Sequence, residues 1–232
     1  MKFLPLAAVA LALPWLLAAC GGPAEKAGEP APPVVRGPAA GAQPPPTQDP
    51  RRVIAAFGDS LTAGFGVEPG HTYPDYLQRL LDEKGYSYRI VNAGISGDTT
   101  AGGLARIREI TGLKPEIVLL ELGGNDGLRG LPVTQTKANL EEMVVLLQKD
   151  GITVVLAGMT LPRNYGPDYI KAFEQLYRDI SARYKLVLIP FALETIAAEP
   201  GLMQRDGIHP TAEGYARAAP VMFGHLEKVL KK

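Results

Sequence analysis

The chain has 232 residues, with 24 Lys or Arg and 24 Asp or Glu, so its formal net charge is zero. That length supports one folded domain, two at most, and the balanced charge excludes the basic surface that nucleic-acid phosphates select. A single cysteine, Cys20, excludes an internal disulfide and any cysteine-based zinc site.

The first element, Met1 to Ala19, reads as a targeting segment. Lys2 precedes an uninterrupted apolar stretch from Phe3 to Ala19. The stretch is at the lower edge of membrane-spanning length, and Pro5 and Pro14 interrupt it. It ends in Leu17-Ala18-Ala19-Cys20-Gly21, with small residues where a signal peptide is cut. A cysteine directly after them resembles the processing site of bacterial lipoproteins. That resemblance implies a lipidated Cys20 as the mature N-terminus, a membrane as partner and, because Gly21 rather than Asp follows, the periplasmic face of the outer membrane. An ordinary signal peptide and a retained anchor are the competing readings. Residues 20–50 hold nine prolines, five glycines and six alanines, and their only large aliphatic residues are Val34 and Val35. Such a segment cannot bury enough apolar surface to offset its ordering entropy, so it is expected to be a disordered linker. It would reach about 30 Å as a coil and about 90 Å as polyproline II.

Residues 51–232 then carry an alternating pattern. Apolar runs at Arg52–Phe57, Tyr88–Asn92, Glu116–Leu122, Ile152–Ala157 and Leu186–Ile189 read as buried strands. Between and after them, helical spacing predicts helices over Tyr73–Glu83, Thr100–Ile110, Val133–Lys149, Pro167–Tyr184 and Thr211–Leu230, the last with Thr211 as N-cap. Continuous apolar strands alternating with helices imply a parallel sheet covered on both faces. Functional groups in such sheets gather on the loops beyond the carboxyl ends of the strands.

Four of those loops carry polar motifs. Gly58-Asp59-Ser60-Leu61 follows the first strand and places a serine between strand end and helix, as an exposed hydroxyl or as a plain N-cap. Asn92-Ala93-Gly94 follows the second, where glycine permits close backbone approach. Gly123-Gly124-Asn125-Asp126-Gly127 follows the third and offers a neutral amide, a good oxyanion donor, or only a turn. After the fifth strand and a short helix comes Asp206-Gly207-Ile208-His209-Pro210, in which an aspartate can orient an imidazole toward the serine. His71 and His225 lack such a motif and read as structural or exposed. One Asp and one His are too few for a metal site, and Gly64-x-Gly66 lacks the spacing of a dinucleotide fingerprint.

Together the four blocks resemble the SGNH hydrolase superfamily, also called the GDSL family, over essentially all of residues 52–230. Asn125 to Pro132, Leu161 to Gly166 and Met203 to Pro210 look like its bacterial arylesterase, thioesterase and lysophospholipase branch. The resemblance implies a flavodoxin-like three-layer α/β sandwich with a five-stranded parallel sheet. It implies Ser60 as nucleophile, His209 as general base and Asp206 as its partner. The Ser60 N–H, the Gly94 N–H and the Asn125 side chain would form the oxyanion hole. The expected activity is hydrolysis of aryl or acyl esters, thioesters or lysophospholipids through an acyl-enzyme, without metal or cofactor. Its partners would be a small acyl ester or lipid substrate and the membrane. Leu128, Leu131, Leu161 and Ile208 are expected near the site and favour an acyl chain over a sugar. A carbohydrate acetyl esterase of the same superfamily and a noncatalytic envelope-binding lipoprotein are the alternatives.

Overall fold

A computed structural model describes residues 49–191 and 193–232. The targeting segment, Cys20 and the proline-rich segment through residue 48 lie outside the described residues. The five apolar runs become strands β1 (Arg52–Gly58), β2 (Tyr88–Gly94), β3 (Ile117–Glu121), β4 (Thr153–Ala157) and β5 (Val187–Ile189). They form one parallel sheet in the order β2-β1-β3-β4-β5. This is the flavodoxin-like order expected from the sequence, and it reverses direction between β1 and β3.

Strand periodicity sorts the core into two faces. Ala55, Phe57, Val118, Leu120, Val154 and Leu156 point to one face, under helices α6 (Val133–Lys149) and α7 (Pro167–Tyr184). Ile54, Ala56, Ile117, Leu119, Val155 and Ala157 point to the other, under α2 (Tyr73–Glu83) and α8 (Ala212–Leu226). Three of these helices begin and end where spacing predicts. Helix α2 starts in a capping box, with Thr72 and Asp75 bonding each other's backbone N–H groups. Thr211 caps α8 by accepting the Gly214 N–H at 3.2 Å, although α8 gives way to a tighter helical turn at Glu227–Val229.

Three local departures matter for the site. The helix expected over Thr100–Ile110 is two helices, α3 (Thr100–Ala105) and α4 (Ile107–Gly112), separated at Arg106. The helix expected after the first strand is the short α1 (Ser60–Ala63), and a second short helix, α5 (Gly124–Leu128), stands where the sequence also reads as a turn. The short helix expected before Met203 is instead a run of turns.

Arg106 explains the break in the third helix. Its guanidinium donates to the Gly58 carbonyl at 3.1 Å and the Ala93 carbonyl at 2.9 Å, and pairs with Asp98 at 2.8 Å. It also lies over the Phe57 ring at 4.6 Å. One side chain therefore ties the carboxyl ends of β1 and β2 to the loop between β2 and α3. The Arg106 and Asp98 side chains are only 12% and 10% exposed, so removing one leaves the other buried and unpaired. Arg106→Leu is expected to lose about 3–5 kcal/mol of stability in urea unfolding. A loss below about 1 kcal/mol, the range of surface ion pairs, would show that the sheet rim does not depend on this clamp.

Candidate active site

Ser60 is the first residue of α1, directly beyond the end of β1. The preceding residue, Asp59, is the N-cap and accepts the Leu61 N–H at 3.1 Å. The helix cap therefore belongs to Asp59, which leaves the Ser60 hydroxyl free for another partner. That partner is His209, whose Nε2 lies 2.8 Å from Ser60 Oγ. His209 Nδ1 lies 2.6 Å from Asp206 Oδ2.

The Asp206–His209 loop is shaped to hold that alignment. Asp206 Oδ1 accepts the N–H groups of Ile208 at 2.9 Å and His209 at 3.0 Å. Met203 and Pro210 form an antiparallel bridge across the loop base, and the Gln204 N–H donates to the His209 carbonyl at 2.7 Å. Partial burial pushes the Asp206 carboxyl up, but the bonds from the His209 side chain and the two backbone N–H groups outweigh it. The net result holds Asp206 down at about 2, so it is a carboxylate at neutral pH. A carboxylate at Nδ1 fixes the proton there and turns the Nε2 lone pair toward the serine hydroxyl.

The three expected oxyanion donors all border the turn that carries Ser60. Ser60 N–H belongs to the first turn of α1 and has no intrahelical acceptor. Gly94 ends β2 in register with Gly58, and its backbone runs so close to α1 that a Cβ would come within 2.2 Å of the Ala63 nitrogen. Only glycine fits there. Asn125, in α5, reaches Asp59 beside the serine. Two of the donors are already engaged without a substrate. The Gly94 N–H donates to Asn92 Oδ1 at 3.0 Å. Asn125 Nδ2 donates to Asp59 Oδ2 at 3.0 Å and to the Asp98 carbonyl at 2.9 Å.

Beneath the serine lies a layer of buried acids that reading the sequence missed. Asp59 is 3% exposed, and burial pushes its carboxyl up to about 6 against the bonds from Leu61 and Asn125 and the attraction of His209. Glu121, at the end of β3, is also buried. Its Oε2 accepts the Thr62 hydroxyl at 2.6 Å, and Thr62 Oγ1 lies 2.7 Å from the Tyr73 hydroxyl. Burial first and the neighbouring Asp59 charge second push the Glu121 carboxyl well above its ordinary value. The signal for it was a lone acid inside the apolar run Ile117-Val118-Leu119-Leu120-Glu121-Leu122. Asp126 faces away from this layer and accepts the Thr100 N–H at 2.8 Å and the Thr100 hydroxyl at 2.5 Å, docking α5 on α3.

A cleft of about 850 Å³ opens beside the serine, lined by Leu61, Gly124, Leu128, Leu161, Met203 and Ile208 among others. Its size is that of a small-ligand pocket. Leu131, expected near the site, is not among its lining residues; its carbonyl accepts the Tyr169 hydroxyl at 2.7 Å. His71 is exposed and bonds Tyr76, and His225 is partly buried, with its imidazole pushed down by burial. Neither takes part in the Ser60–His209–Asp206 chain of hydrogen bonds. Among the described residues, no group of three or more His, Cys, Asp or Glu side chains is arranged to hold a metal ion.

Comparison with known proteins gives the same picture from outside. The family model "GDSL-like Lipase/Acylhydrolase family" matches residues 56–217, from the end of β1 into α8 and across all the site residues. The chain is 42% identical to "Esterase TesA" of Pseudomonas aeruginosa over 180 residues, 77% of this chain and 90% of the relative. It is 37% identical to "Thioesterase 1/protease 1/lysophospholipase L1" of Escherichia coli K12 over 179 residues, 76% of this chain and 84% of the relative. A crystal structure of TesA superposes with a TM-score of 0.75 at 42% identity, covering 77% of this chain and all of the other. With the sheet order, the serine at the end of β1 and the match over these residues all agreeing, the chain belongs to the GDSL-like lipase/acylhydrolase family.

Proposed function

We propose that this chain hydrolyses carboxylic esters through an acyl-enzyme on Ser60. The observation that carries the reading is the continuous hydrogen-bonded chain Ser60 Oγ–His209–Asp206, at 2.8 and 2.6 Å. His209 Nε2 takes the Ser60 proton as Oγ attacks the acyl carbonyl. Asp206 remains a carboxylate and stabilises the imidazolium. The developing oxyanion is received by the Ser60 N–H, the Gly94 N–H and Asn125 Nδ2, the last two sharing or exchanging their resting acceptors. His209 then protonates the leaving oxygen, and water repeats the sequence to release the acid.

The largely aliphatic lining of the cleft supports an acyl chain as the part of the substrate it receives. The names of the two relatives, an esterase and a thioesterase/lysophospholipase, extend the reading to thioesters and lysophospholipids. A lipid substrate also suits the front of the chain. Cys20, behind Leu17-Ala18-Ala19, is proposed to carry the lipid anchor after removal of residues 1–19. Residues 20–50 would tether the hydrolase domain, residues 51–232, to the periplasmic face of the outer membrane. Each buried lipid methylene contributes about 0.8 kcal/mol, and stable anchoring takes two chains.

Three experiments test this reading. Ser60→Ala is expected to lower kcat on p-nitrophenyl butyrate by at least about 10⁴-fold, with an unchanged far-UV circular dichroism spectrum. A folded variant retaining near-normal turnover would overturn the nucleophile assignment. Asn125→Ala is expected to lower kcat by about 10²–10³-fold with a much smaller change in KM, since an oxyanion donor acts in the transition state. A KM effect at constant kcat would make Asn125 a ground-state binding residue instead. For the anchor, Cys20→Ser is expected to move the protein out of the membrane fraction or block its maturation, while a fragment of residues 51–232 keeps its esterase activity. Mass spectrometry that finds an unmodified N-terminus other than Cys20 would remove the anchor and leave the hydrolase reading intact.

A further inference from the structure

We propose that Phe65 forms the leaving-group side of the site, an aromatic platform that receives the alcohol part of aryl and arylalkyl esters. The proposal rests on the ester-hydrolase reading and adds to it a residue that sets leaving-group preference. Phe65 is 50% exposed. Its ring centroid lies 4.7 Å from that of His209, with the planes tilted by 41°.

The Phe65 backbone is held from both sides of the site. Gly64 takes a left-handed conformation (φ +80°) that ends α1, and the Gly64 and Phe65 N–H groups both donate to the Ser60 carbonyl at 3.0 Å. The Phe65 carbonyl accepts Gln204 Nε2 at 2.8 Å. The same nitrogen donates to the Pro210 carbonyl at 2.8 Å, and the Gln204 N–H donates to the His209 carbonyl. Phe65 is thereby tied to the turn that carries Ser60 and to the loop that carries His209.

The chemistry fixes what must pass over this ring. In acylation the carbonyl carbon bonds to Ser60 Oγ, its bond to the leaving oxygen breaks, and the proton held on His209 Nε2 moves to that oxygen. The leaving oxygen must therefore come within about 2.6–3.2 Å of Nε2. Phe65 packs against that same imidazole, so the first atoms attached to the leaving oxygen fall within reach of the exposed ring. The acyl part has a separate place. Leu61, Gly124 and Ile208 open into the aliphatic cleft, whereas Phe65 does not line it. The two halves of the ester thus meet different surfaces, and the one on the leaving-group side is aromatic, with a preference for stacked or edge-on rings.

The test uses the full-length protein with benzyl butyrate and ethyl butyrate, which share an acyl group and differ only in the alcohol. The quantity read is the ratio of the two kcat/KM values, because kcat/KM reports acylation, the step in which the alcohol is still present. Phe65→Ala is expected to lower the benzyl-to-ethyl ratio about tenfold, mainly through KM for the benzyl ester. Phe65→Tyr should keep the ratio, and Phe65→Leu should lower it in the same direction, so the leucine variant carries the test if the alanine variant does not fold. An unchanged ratio overturns the platform, whether both esters slow together, as expected if Phe65 only supports the imidazole, or neither does. If the wild-type protein hydrolyses neither ester, the ester-hydrolase reading fails and the platform with it. Hydrolysis of both with an unchanged ratio sinks the platform alone.

Discussion

The site depends on one long-range contact, the 2.8 Å approach of His209 Nε2 to Ser60 Oγ. The two residues are 149 positions apart in the chain, so only the sheet can bring them together. β1 ends at the reversal in strand order and delivers Ser60 to the rim. The loop before α8 delivers His209 to the same place. A displacement of about 1 Å in such a pair is enough to cost orders of magnitude in rate. This explains the density of fastening around it: the Arg106 clamp across the ends of β1 and β2, the Met203–Pro210 bridge, and the Gln204 bonds between the Ser60 turn and the His209 loop.

The proposed oxyanion donors are held in the same way. Gly94 N–H and the Asn125 amide are bonded to Asn92, Asp59 and Asp98. A donor that already has an acceptor is oriented, and in a partly buried site an unpaired amide would be costly. Such a donor acts on substrate by exchanging one acceptor for a better one. A developing oxyanion is a stronger acceptor than the Asn92 amide or Asp98 peptide oxygen, so exchanging either of these favours the transition state over the ground state. In the proposed mechanism the residues that hold these bonds keep the donors aimed.

The strands and the helices α2, α6 and α7 were legible in hydrophobic periodicity, whereas the sheet order followed only from the resemblance carried by the four motifs. The Asp206–His209 pair was legible because both residues sit in one short loop. What escaped depended on contacts distant in sequence. Arg106 looks like an ordinary helix residue until its guanidinium is seen reaching the ends of two strands. Gly124–Leu128 has the composition of a turn, and it is helical because Asp126 is docked on Thr100. Leu131 shares the apolar character of Leu128 and Leu161, but its place is set by the bond to Tyr169. Phe65 carries no motif at all. Its position next to His209 exists only once the two loops are folded against each other.

The acids around His209 show how one charge is kept apart from several potential ones. Asp206, Asp59 and Glu121 all lie near the serine, yet only Asp206 has bonds enough to hold it at about 2. It alone receives two backbone N–H groups as well as the imidazole. Asp59 and Glu121 are buried more deeply, and burial raises both. The Asp59 charge pushes Glu121 higher still, so Glu121 resists ionisation most when Asp59 is charged. If all three were ionised, negative charge beneath Ser60 would oppose the oxyanion that must form above it. Burial of Glu121 favours its uncharged form, and the Thr62 hydroxyl, itself bonded to the Tyr73 hydroxyl, gives the carboxyl group a hydrogen-bonded place. The low dielectric that is usually a penalty for a buried acid therefore acts here as a means of allocating charge. The Asp206 charge stands at Nδ1 of the histidine, on the side away from the serine. There it stabilises the imidazolium at little cost to the oxyanion.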